Sequence, residues 1–154
     1  MWNAAHLHIA INHVPVVLIP AALVILAVGA WRRSEGVFRT GIVVVWIGVV
    51  SGLGAYFTGD EAADLVMAAE KAQEKVLDPI VEEHEESAKW ALGSAVLVLA
   101  AGVWAWRRRG LAREVTVPLL LLTALSTAIL ARTALLGGRI RHPEARTGFA
   151  APPH

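Results

Sequence analysis

The chain contains no cysteine. That absence removes disulfides, thiolate metal sites, cysteine-ligated iron–sulfur clusters and covalent c-type haem attachment, while leaving the compartment open. Methionine is almost as scarce: Met1 stands at the terminus and Met67 in a surface segment, so no thioether is well placed as a metal ligand. Charged residues make up only 18% of the chain, against roughly a quarter in ordinary soluble domains. No activated serine or cysteine nucleophile, nucleotide-cradling glycine loop or nucleic-acid patch is visible. Nucleic acid is therefore not an expected partner.

What is present in quantity is apolar sequence. Hydrophobic residues make up 56% of the 154 positions and the mean hydropathy is +0.55. Four apolar stretches stand out, Val14 to Trp31, Thr40 to Phe57, Ala88 to Trp106 and Val115 to Leu136, each long enough for a hydrocarbon core of ~30 Å. Only helices and closed barrels satisfy every backbone polar group in lipid, and these runs lack the period-two alternation of a barrel strand. The expected fold is all-α, a four-transmembrane-helix bundle. Residues 1–147 form one membrane domain, and 148–154 form a flexible tail that carries His154.

Four crossings return the chain to its starting side. His6, His8 and His13 precede the first crossing, His84 precedes the third, and His142 and His154 follow the fourth, so all six histidines share one side, here side A. Arg32, Arg33, Arg39, Arg107, Arg108, Arg109 and Arg113 lie in the two short loops of the other, side B. Ten of the thirteen acidic residues fall between Asp60 and Glu86, making side A acidic. Six Lys and Arg residues also lie on side A, but spread over longer segments. The positive-inside tendency therefore places side B in the cytoplasm and both termini outside it. The N-terminus lacks a basic leader and a small-residue cleavage pattern, so no removable signal peptide is expected.

The short side-B loops make helices one and two, and three and four, antiparallel neighbours. Ala30-Trp31-Arg32-Arg33 and Ala105-Trp106-Arg107-Arg108 close the first and third crossings alike, hinting at a duplicated hairpin. Helix two carries Gly41, Gly48, Gly52, Ala55 and Gly59 on roughly one face, open to the close approach of another helix or of a flat macrocycle. Between crossings two and three, Glu61 to Leu77 reads as a short amphipathic surface helix with Leu65, Ala69, Ala72 and Val76 on one stripe. Asp78-Pro79 then supplies a cap and first-turn proline for helix three, which extends above the bilayer.

Three imidazoles and an amide crowd the first helix entrance, in His6-Leu7-His8-Ile9-Ala10-Ile11-Asn12-His13. On a helix, His6 and His13 share one face while His8 and Asn12 share another, unless Pro15 and Pro20 kink or unwind the start. His84 sits in Glu82-Glu83-His84-Glu85-Glu86, which reads as a solvated charged face by composition. Its phase reads otherwise, because Ile80, His84, Ser87 and Ala91 form one stripe that continues into the apolar crossing. Arg132 lies inside the fourth apolar run and either snorkels to side A or faces a partner. Gly137 and Gly138 mark the expected stop of helix four, and Arg139, Arg141 and His142 beyond them suit an anion such as a haem propionate beside an iron ligand.

The motifs His8-x4-His13-x-Pro15, Tyr56-x-Thr58-Gly59, His84-Glu85-Glu86 and Ala131-Arg132-Thr133-Ala134-x2-Gly137-Gly138-x-Ile140-Arg141-His142-x-Glu144 resemble a family of small four-helix bacterial integral membrane proteins of unknown function. The likeness spans nearly the whole chain. It implies a place in the bacterial inner membrane and kinship with membrane b-type cytochromes, which hold haem between histidines of facing helices. Two departures stand out: Ile9 rather than proline follows His8, and all candidate ligands lie on side A rather than at two depths. A two-haem pathway across the bilayer is therefore not implied.

Three functions follow as expectations. The leading one is a haem b protein for electron transfer, an accessory subunit rather than a stand-alone enzyme. It would hold haem through His8, His13, His84 and His142, with Arg132, Arg139 and Arg141 meeting the propionates. Neutral imidazole is the common haem ligand. Quinone or a basic periplasmic cytochrome would exchange electrons with it. The second is a zinc or copper site built from His6, His8, His13, His84 or His142 with carboxylates such as Glu83 or Glu85; the nearby arginines oppose a bare dication. The third is a non-catalytic subunit of a larger membrane complex or homo-oligomer, with the histidines as interface hydrogen-bonders.

Overall fold

The computed structural model describes residues 3–108 and 111–146, apart from the side chain of Ala72. The described residues form five α-helices, two 3-10 turns and no strand. The helices are α1 (Ala4–Trp31), α2 (Glu35–Phe57), α3 (Gly59–Ala69), α4 (Glu74–Arg108) and α5 (Arg113–Arg141); the turns are Lys71–Gln73 and Pro143–Ala145. All but α3 are long and apolar enough to cross a membrane.

Capping and close backbone approach fix the first hairpin. The Asn3 side chain accepts from the His6 N–H at 3.0 Å, and Ser34 accepts from Val37 at 3.4 Å, which satisfies donors that a helix start leaves open. Between α1 and α2 the chain turns through Arg33 at φ 52°. A Cβ on Gly29 would lie 2.5 Å from the Phe38 nitrogen, so only glycine lets the two helices meet this closely. Three glycines of α2 face α1: Gly41 abuts Leu26, Gly48 abuts Ile19 and Gly52 abuts Pro15. Along most of its length that face takes a helix.

Hairpin α1–α2 packs beside hairpin α4–α5, with α1 against α5 and α2 against α4. Consequently α1 and α4 occupy opposite corners. Exchanging the hairpins maps each cross-contact onto the other, as a duplicated hairpin requires. Ile19, Leu26, Ile42, Val45, Val49, Val98 and Leu119 fill the centre. The α4–α5 seam is more polar: Ser94 bonds Ser126 at 3.0 Å and Ser87 lies 2.8 Å from the Thr133 hydroxyl. Lipid offers helices no hydrophobic reason to associate, so small side chains and such bonds hold a seam of this kind.

At 35 residues and ~1.5 Å per residue, α4 is about 52 Å long, far beyond the ~30 Å hydrocarbon. Its acidic first part, Glu74 to Ser87, stands outside the membrane-crossing segment that begins near Ala88. Here α3, which packs on α1, α2 and α4, covers the same end of the bundle.

Several boundaries differ from those the sequence implies. α1 starts at Ala4 and runs unbroken through Pro15 and Pro20, because each proline removes one backbone bond and unwinding would expose several more. α4 starts at Glu74, so Pro79 lies inside it; the lost partner is the carbonyl of Lys75, an exposed residue that water can serve. The surface helix ends at Ala69, and the 3-10 turn after it resets the helical phase. Leu65, Ala69 and Val76 are exposed, while Ala62 and Leu77 are buried.

Candidate functional site

Two of the histidines turn inward at the side-A end. His8 is half-buried, and its Nδ1 lies 2.9 Å from the Ala55 carbonyl and 3.3 Å from the Thr58 hydroxyl. His84 is half-buried too, with Nδ1 3.0 Å from the Thr133 carbonyl. A carbonyl only accepts, so both rings carry a proton on Nδ1, which in the neutral imidazole leaves Nε2 its lone pair. Neither Nε2 makes a hydrogen bond among the described residues.

The two rings come from helices at opposite corners of the bundle and are near enough to interact electrostatically. Burial holds the His84 imidazole below the ordinary histidine range; the Thr133 carbonyl opposes this and the nearby His8 adds to it. His84 belongs to the projecting part of α4, outside the crossing. Asn12, one turn along α1 from His8, is half-buried on the same face.

The remaining candidates point elsewhere. His13 is exposed and bonds the Ile9 carbonyl of its own helix at 2.6 Å; His6 is exposed on Asn3 at 2.6 Å. His142 is exposed, 3.0 Å from Glu144. Glu144 is held below the ordinary carboxyl range by its own backbone N–H and then by His142. Thus His13 and His142 do not converge with His84, and His8 takes their place. His154 and Arg109 lie outside the described residues.

Nor do the arginines crowd the imidazoles. Arg132 pairs with Glu83 at 3.0 Å and Arg141 with Glu70 at 3.7 Å, both exposed. Arg139 makes no ion pair among the described residues. Arg146, which sequence reasoning passed over, bonds Gln73 and the carbonyls of Arg139 and Ile140. These links tie the α3–α4 joint to the end of α5. Among the described residues, no three or more His, Asp or Glu side chains are arranged to hold a metal ion.

Four apolar crossings and an inward histidine pair frame the comparison with known families. A family model described as predicted membrane protein (DUF2231) matches residues 4–143. The chain belongs to that family. The match takes in both inward histidines, Arg132 and Arg141, and ends before Arg146. No curated protein and no solved structure matches the chain.

Sequence reasoning missed the groups that hold the two imidazoles. Thr58, Gly59, Thr133 and Gly137 all stood in the recognised motifs, but a backbone carbonyl leaves no mark on residue type. The usable signal was positional: His8 and His84 each precede an apolar run, on the same helix, that ends at Trp-Arg-Arg.

Proposed function

We propose that the chain is a membrane-embedded b-type haem protein for electron transfer, with a single haem b between His8 and His84 near the extracytoplasmic face. One observation carries this reading: two imidazoles on opposite helices, each fixed at Nδ1 by a backbone carbonyl and each left with a free Nε2. Haem iron takes its axial ligands in this form, and a carbonyl on the far nitrogen sets ring orientation and raises ligand basicity. The donor set therefore fits a metal held by two opposed ligands better than a bare ion needing three or four.

Bound haem would supply a one-electron iron couple. The chain's own residues orient the ligands, and α3 shields that end of the bundle. Arg139, free of an ion pair, is the guanidinium best able to meet a propionate, whereas Arg132 and Arg141 would first have to leave Glu83 and Glu70. The acidic stretch from Asp60 to Glu86 favours a basic periplasmic cytochrome as redox partner, with quinone as the membrane-borne alternative. Dense arginine in the side-B loops supports a bacterial inner-membrane topology with both termini extracytoplasmic.

Optical spectra of purified protein, oxidised and dithionite-reduced, with a pyridine haemochrome assay, test the reading. The expected result is one haem b per chain. A colourless preparation that gains no Soret band on haem reconstitution would overturn it. Alkaline phosphatase fused after His154 should be active if the topology is right, and inactive if it is reversed.

A further inference from the structure

The two imidazoles are seated alike. His8 donates to the carbonyl of Ala55, and four residues on stands Gly59, where a Cβ would lie 3.7 Å from His8 Cε1. His84 donates to the carbonyl of Thr133, and four residues on stands Gly137, where a Cβ would lie 3.0 Å from His84 Cε1 and 3.3 Å from Nδ1. Each histidine belongs to the first helix of its hairpin and each accepting carbonyl to the second; Gly137 lies within α5, whereas Gly59 opens α3.

Helix geometry explains the spacing. The carbonyl of residue i points toward residue i+4, whose Cβ leans back over it. An imidazole that shares this carbonyl from the side must occupy the space where that Cβ would be. At His8 the seat lies at the end of α2 and is loose. At His84 it lies within α5 and is tight, so an added methyl there must push the ring by a few tenths of an ångström. Gly138, the next residue, has nothing within 4 Å of its would-be Cβ. The two neighbouring glycines are thus unequal, although both read as a helix stop in the sequence and α5 in fact runs on to Arg141.

We propose that Gly137 is the positioning residue that seats His84 on the Thr133 carbonyl and so fixes the orientation of its Nε2. What the Nε2 then binds rests on the haem reading; the seat itself does not.

Full-length protein labelled with 15N-histidine in detergent micelles tests this without any cofactor. Wild type should show His84 as the Nδ1–H tautomer in slow exchange with solvent. Gly137→Ala should displace the His84 ring resonances, Gly137→Leu should free the ring altogether, and Gly138→Ala should match wild type. On haem reconstitution, Gly137→Ala should bind about 10-fold or more weakly, the usual cost of disturbing a group that orients a ligand, while Gly138→Ala should not weaken binding. Unchanged His84 resonances in Gly137→Ala, or an equal displacement in Gly138→Ala, overturn the proposal. If Gly137→Leu does not fold, Gly137→Ala alone decides. If wild type takes up no haem, the haem reading fails and the ring resonances still decide the seat.

Discussion

His84 and Thr133 are joined twice over: the His84 ring donates to the Thr133 carbonyl at 3.0 Å, while the Thr133 hydroxyl lies 2.8 Å from Ser87, one turn further along α4. The pairing locks the ring orientation to the α4–α5 seam. Any disturbance of that seam near Ser87 reaches the imidazole.

Haem retention should separate the histidines into two classes. His8→Ala and His84→Ala should each lower haem content severely, whereas His13→Ala and His142→Ala, whose rings are exposed on their own segments, should keep the wild-type stoichiometry. Pyridine haemochrome assays on the purified variants measure this. Full retention in both His8→Ala and His84→Ala would exclude the pair as axial ligands.

Acid should loosen the side-A end. The fold holds His84 below its ordinary value chiefly by burial, so the unfolded chain binds the proton more readily. The stabilising contribution is complete above about pH 6.5 and is lost as pH falls through the folded-state value. Thermal melts of the protein in detergent from about pH 7.5 down to about pH 5 should fall in wild type. The same melts of His84→Gln should fall less; equal slopes would remove His84 from the linkage.

At the centre of the same seam, Ser94 and Ser126 should be coupled. Ser94→Ala takes from the buried Ser126 hydroxyl its Ser94 donor, Ser126→Ala leaves Ser94 its bond to the Ala91 carbonyl, and the double variant removes both hydroxyls. Double-mutant cycles of membrane helices give couplings averaging about 0.6 kcal/mol, and a value of that order is expected from unfolding titrations in mixed micelles. A coupling indistinguishable from zero would mean that the two hydroxyls find other partners.

In the first hairpin, Gly29→Ala should destabilise by about 1–3 kcal/mol, since the methyl meets the backbone of Phe38 rather than a flexible side chain. Gly36→Ala meets nothing within 4 Å and should be neutral or stabilising by up to about 1 kcal/mol in the first turns of α2. Unfolding midpoints of the two variants give the comparison directly.

The crossings were readable because lipid imposes one rule on every backbone group, and length with hydropathy therefore suffices to find the spanning helices. Ala30-Trp31-Arg32-Arg33 and Ala105-Trp106-Arg107-Arg108 mark the like ends of α1 and α4, each the first helix of its hairpin. His84 was readable from its phase with Ser87 and Ala91, both buried in the structure. His13 was misleading: its face is shared with His6, and only the rotation of α1 within the bundle decides that His8 looks inward. Glu61 to Leu77 reads as one amphipathic helix in the sequence, whereas the 3-10 turn at Lys71–Gln73 divides it between α3 and the start of α4. Arg132, which reads as a stray cation in an apolar run, reaches Glu83 on the projecting part of α4, a partner visible only once α4 is known to rise beside α5.

The placement of both inward imidazoles at one end of the bundle has an electrical consequence. A charge carried fully across a bilayer exchanges about 2.3 kcal/mol with each 100 mV of membrane potential. A charge gained or lost between His8 and His84 moves almost entirely within one face, so the field does almost no work on it. On the haem reading proposed above, a group held by this pair would be loaded, oxidised or released with almost no work against the potential of the membrane that houses it.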